Sequence, residues 1–133
     1  FWLDSSLEIM TKLSAQMEQL EKALLRLKEV LVMPQSDVVR DSAIQRFEFT
    51  MDLSWKTVKT YLEEMKGLIC ASPKECFREA YRQGIVLYDD EWIKLVDLRN
   101  ETVHTYNEEI AEKIYNELPA TVRYFKELVE KMK

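Results

Sequence analysis

Seven apolar residues, Met10, Leu13, Met17, Leu20, Leu24, Leu27 and Leu31, recur at alternating steps of three and four. Only an α-helix brings that spacing onto one side, so the chain opens with a long amphipathic helix that must bury its stripe against a partner surface. Ser5-Ser6-Leu7-Glu8 has the form of a capping box, and Pro34 cannot continue a helix, which bounds this element at about residues 5–32. A second stripe, Val39, Ala43, Ile44, Phe47, Met51, Trp55, Val58 and Leu62, has the same helical period. Ser36 or Asp37 can cap it and Gly67 can end it after Lys66. Phe47 and Trp55 read most simply as core residues.

Ser72-Pro73-Lys74-Glu75 announces a shorter third helix, with Ser as N-cap, Pro in the first turn and Glu three residues after the cap, ending at Gly84. Along it Lys74, Arg78 and Arg82 stand four apart, with Phe77, Ala80 and Tyr81 on another face. That basic row is either a solvated face or a cationic edge for a phosphate-bearing ligand. Asp89 or Asp90 can cap a fourth helix through Trp92, Ile93, Leu95, Val96 and Leu98. A last apolar set, Ile110, Ile114, Leu118, Val122, Phe125 and Leu128, extends from about Asn107 to Lys133, and Pro119 within it predicts a kink. Long helices with few glycines make an all-α bundle the natural architecture, one domain over residues 1–133.

Composition narrows the function. Only two glycines occur, with no GxGxxG or GxxxxGK[ST] pattern, which argues against a phosphate-cradling loop. A net charge of −5 is unlike a generic nucleic-acid binder and favours a protein partner or a small site. Cys70 and Cys76 with one histidine cannot assemble a Cys/His zinc site, so no metal or other cofactor is expected. No secretory signal or membrane-length apolar run is visible, which leads to the expectation of a cytoplasmic protein with free thiols.

The single histidine lies in RNETVHTY, residues 99–106. At about 100° per residue, Arg99 and Tyr106 would nearly eclipse in one straight helix, while Arg99 and His104 would stand about 140° apart. They converge only if the backbone bends or if two chains face each other. A bend is expected because Thr105-Tyr106-Asn107-Glu108 has the form of a capping box that would start a new helix after His104. Arginine and histidine suit phosphodiester chemistry: a permanently charged fork for phosphate oxygens and a proton carrier near neutral pH. Asn100 and Tyr106 can add hydrogen bonds. Spacing alone, however, reads a lone histidine at a helix end as structural.

RNETVHTY fits the Arg-x4-His-x-Tyr signature of the HEPN superfamily, particularly the toxin partners of minimal nucleotidyltransferases. RDSAIQRFEFTMDLSWKTVKTYLEEMKG (40–67) and SPKECFREAYRQGIVLYDDEWIKLVDLRNETVHTYNEE (72–109) extend the likeness, and the chain from about residue 12 onward resembles the nucleotidyltransferase substrate-binding protein family. The resemblance implies a four- to five-helix up-and-down antiparallel bundle that forms a homodimer beside a separately encoded minimal nucleotidyltransferase. It implies metal-independent RNA cleavage, with Arg99 on the scissile phosphate and His104 moving a proton. Asn100, Arg78 and Arg82 become candidate substrate or nucleotide contacts. Tyr106 matches a tyrosine that the transferase adenylylates in some such pairs. The alternative is a non-catalytic subunit that presents substrate to the transferase. The Gly-Ser motif of a nucleotidyltransferase is missing from these residues, so adenylyl transfer would come from the partner.

Overall fold

The structure, a computed structural model, describes residues 2–133, with side chains from Lys12 onward. Five α-helices follow one another: α1 (Trp2–Leu31), α2 (Asp37–Lys66), α3 (Pro73–Arg82), α4 (Asp90–Glu101) and α5 (Glu108–Met132). A short 3-10 turn, Thr102–His104, stands between the last two. The fold is the expected all-α up-and-down antiparallel bundle. None of the described helices is long and apolar enough to cross a membrane.

Helix α1 starts before Ser5, so Ser5 lies inside the element it was expected to cap. The rest of that capping pattern, and Met10, fall outside the described side chains. From the stripe, Leu20, Leu24 and Leu27 are buried, and Val30 joins them. Ser36 caps α2, its hydroxyl accepting from the Val39 amide at 3.1 Å. Gly67 ends α2 at φ 66°, where its amide reaches Glu63 and the Leu68 amide reaches Leu62. This is the left-handed turn that glycine adopts without steric cost. Ser72 caps α3 by accepting from the Glu75 amide, and the Glu75 carboxylate accepts in turn from the Ala71 amide.

Helix α2 is the centre of the bundle, packing on α1, α3, α4 and α5. Alongside Ala43, Ile44, Phe47, Met51, Val58 and Leu62 it buries Thr50, Ser54 and Thr57. Those three hydroxyls each donate to the carbonyl four residues back, at 2.8, 2.7 and 2.6 Å, so small polar side chains are buried with their donors satisfied. Trp55 departs from expectation: it is only partly buried and borders a cleft instead of sitting in the core.

At the α3, α4 and α5 junction Trp92 stacks on Phe77 with ring centroids 4.5 Å apart and meets Phe125 edge-on at 5.8 Å. Asp89 precedes α4 but makes no side-chain capping bond, because its backbone is already helical rather than extended. Helix α5 runs through Pro119 without a break; the missing amide leaves one gap in the backbone ladder and does not end the helix. The expectation of free thiols is overturned. Cys70 and Cys76 form a disulfide, their Cα atoms 5.2 Å apart, because the turn after Gly67 brings the loop back against the start of α3.

Replacing Trp92 by alanine removes the ring that joins three helices. The expected loss is about 3–5 kcal/mol of unfolding free energy, read from urea denaturation.

Candidate functional site

Arg99 lies in the last turn of α4 and reaches across to α2. Its Nε and Nη2 donate to the two oxygens of Asp52 at 2.9 and 3.1 Å, a two-pronged contact. Nη1 donates to the Thr102 hydroxyl at 2.9 Å, and the Glu48 carboxylate stands 3.6 Å away. Asp52, and behind it Glu48, push the Arg99 pKa up from its ordinary value, so the guanidinium stays charged. Three of the five N–H groups that an arginine carries donate hydrogen bonds, and two make none, one of them on Nη1, which Glu48 approaches to 3.6 Å.

Thr102 binds twice. While accepting from the Arg99 guanidinium, its hydroxyl donates to the Arg99 carbonyl at 2.7 Å. The backbone then tightens into the 3-10 turn of Thr102–His104. The bend expected between Arg99 and the last helix is therefore present, but the cap is Asn107, not Thr105. The Asn107 side chain accepts from the Glu109 and Ile110 amides, while Thr105 donates back to the Thr102 carbonyl. Thr105 has a helical backbone, φ −72° and ψ −3°, whereas Asn107 is extended, the conformation an N-cap requires.

Two clefts flank this bend. A cleft of about 270 Å³ holds Arg99 and Asn100 with Asp52, Trp55 and Val103 on its walls. A second, of about 350 Å³, holds Tyr106 with Arg40, Asp41, Glu48, Thr105 and Glu108. Glu48 therefore borders the Tyr106 cleft while standing beside the Arg99 head group. His104 lines neither cleft; its side chain is exposed, with the ring edge-on to Tyr106 at 6.1 Å between centroids. Tyr106 is 84% exposed. Within one chain, then, His104 and Tyr106 adjoin each other, whereas Arg99 faces α2.

Arg78 and Arg82 line neither cleft. Arg82 pairs with Glu79 at 2.8 Å, which holds the Glu79 carboxyl below its ordinary pKa, and Lys74 ties α3 to α4 through Asp97 at 2.8 Å. Most of the α3 row is thus used within the bundle. Arg40 in the Tyr106 cleft is enclosed by Asp37, Asp41 and Glu112. Among the described residues no group of three His, Cys, Asp or Glu side chains is placed to hold a metal ion. Sequence reasoning did not pick out Asp52 or Thr102, and gave Glu48 no role. The one available signal was the four-residue spacing of Glu48 and Asp52 on α2, which sets two acids on the side that meets Arg99.

The fold and this site define an all-α bundle with an acid-anchored arginine beside an exposed histidine and tyrosine. Residues 15–133 match the family model described as nucleotidyltransferase substrate binding protein like, and the chain belongs to that family. It is 41% identical to a Thermus thermophilus protein of known crystal structure, with a TM-score of 0.79 over 86% of this chain and 98% of that one. It is 28% identical to a Haemophilus influenzae protein whose structure reveals the fold of a substrate binding domain of a nucleotidyltransferase. That match has a TM-score of 0.69 and covers 92% of this chain and 97% of the other. It is also 34% identical over 92 residues to the probable ribonuclease HepT of Haemophilus influenzae, a match spanning 63% of each protein.

Two measurements test the local geometry. Asn107→Ala is expected to lower stability by about 1 kcal/mol, the usual worth of an N-cap side chain, in urea denaturation. A double-mutant cycle on Asp52→Ala and Arg99→Ala should return a coupling of about 1 kcal/mol, modest because both side chains remain partly exposed.

Proposed function

We propose that this chain is a cytoplasmic ribonuclease toxin whose partner is a separately encoded minimal nucleotidyltransferase. The observation that carries the proposal is the fixed Arg99 fork, two of its N–H groups making no hydrogen bond, one 3-10 turn away from an exposed His104 and Tyr106. The name of the Haemophilus HepT relative supports it.

In the proposed reaction Arg99 binds the scissile phosphate and stabilises the negative charge that builds on its oxygens. His104 takes the proton of the ribose 2′-hydroxyl as the 2′-oxygen forms its bond to phosphorus. The phosphorus–5′-oxygen bond breaks to leave a 2′,3′-cyclic phosphate, and the 5′-oxygen leaves with a proton taken from water. This scheme needs no metal. Since Arg99 and His104 do not share a cleft within one chain, the composite site belongs to a homodimer in which each copy completes the other's. Asn100 supplies a further hydrogen bond from the wall of the Arg99 cleft. Transfer of an adenylyl group from ATP to the Tyr106 hydroxyl by the partner enzyme, with pyrophosphate released and the phenol proton lost to water, silences the toxin by placing charge and bulk beside His104.

A second reading rests on a specific contact. Asp52 and Glu48 already balance the Arg99 charge, an arrangement that also suits a non-catalytic subunit presenting substrate to the transferase.

Expression of the chain alone, and with its transferase, decides between them. Arg99→Ala and His104→Ala are each expected to reduce RNA cleavage by about a hundredfold or more and to relieve growth inhibition. Cleavage that persists in both variants would rule the catalytic assignment out. Intact protein mass spectrometry of the co-expressed sample should show added nucleotide on the wild-type chain and none on Tyr106→Phe.

A further inference from the structure

A groove of about 530 Å³ runs between α1 and α2 and meets the Arg99 cleft at Asp52 and the Tyr106 cleft at Gln45. Its α2 wall is a helical row, Ser42, Gln45, Arg46, Phe49, Leu53 and Lys56, and α1 adds Arg26. Such a row between two packed helices is ordinarily apolar or laced with acid–base pairs. Here it carries three cations. No ion pair among the described residues involves Arg26, Arg46 or Lys56. The one acid on the wall, Asp52, has its charge engaged by Arg99.

Arg46 is also held in place. Its Nη1 donates to the backbone carbonyl of Arg26 at 2.8 Å, so one guanidinium is fixed over the backbone of the other arginine. Phe49 is 54% exposed between Arg46 and Lys56, a large ring on open surface within a cationic row. On a chain of net charge −5, this local excess of positive charge is the reverse of the general surface. Arg46 and Lys56 are separated by about 15 Å along the helix axis, which exceeds one nucleotide and suits an extended anion.

We propose that this groove binds single-stranded RNA, with phosphates on Arg26, Arg46 and Lys56 and a base stacked on Phe49. The inference rests on the reading of RNA as substrate and extends it to the path of the strand. Asp52 joins the two regions: its side chain lines the groove and its carboxylate holds Arg99, so a strand in the groove is led to the arginine.

The test uses the full chain carrying His104→Ala, so that RNA remains intact, and a terminally labelled oligouridylate followed by fluorescence anisotropy across a salt series. Arg26→Gln with Lys56→Gln is expected to weaken binding at least tenfold and to flatten the slope of log Kd against log salt by about 1.4, roughly 0.7 for each phosphate no longer neutralised. Phe49→Ala should weaken binding at least fivefold, and Phe49→Leu should not restore it, because leucine has bulk without a stacking face. These side chains are exposed, so the variants are expected to fold, with circular dichroism melts as the check. Variants that match the parent in Kd and slope overturn the proposal, as does a parent that does not bind RNA. Groove-dependent binding by a wild-type chain that cuts no RNA supports the groove and sinks the catalytic reading, so the two failures are distinguishable.

Discussion

Helix α2 touches every other helix of the bundle, and that constraint governs the rest. A helix so enclosed cannot divide simply into one wet and one dry side. Buried Thr50, Ser54 and Thr57 meet the difficulty by bonding to their own backbone, which keeps the helix surface narrow where its neighbours approach. The remaining polar positions are sorted by neighbour. Asp52 faces α4 and meets an arginine, while Arg46 faces α1 and meets a carbonyl. One helix thus supplies the core, the anchor for the arginine and the wall of the cationic groove.

What the sequence made legible follows the range of each interaction. Ser36, Gly67 and Ser72 were readable because a cap is a contact between a residue and one three or four places away. The apolar stripes were readable for the same reason. The Asp52–Arg99 contact joins residues 47 apart in sequence, and nothing local to either residue announces it. At the bend, the sequence pointed to Thr105 as the cap and the structure uses Asn107. The 3-10 turn decided it, because it leaves Thr105 with a helical backbone and Asn107 with the extended one a cap needs. The disulfide was missed because the expected cellular setting was weighed ahead of the geometry that the turn after Gly67 imposes.

Two sets among the cations of this acidic chain have different physical roles. Arg40, Lys74 and Arg82 sit against carboxylates and act as ties between or along helices. Arg26, Arg46 and Lys56 gather along one groove. Net charge averages over the two groups and hides the second. A row of basic residues visible in sequence, as on α3, was mostly committed to internal pairing, whereas the open one is split between α1 and α2.

The two bonds made by Thr102 have a mechanical meaning. A single hydroxyl grips both the head of Arg99 and the backbone from which the turn departs. The guanidinium and the start of the segment carrying His104 and Tyr106 therefore share one anchoring atom, the threonine oxygen. Loss of that one oxygen would remove a bond to the arginine head and a bond at the start of the turn together.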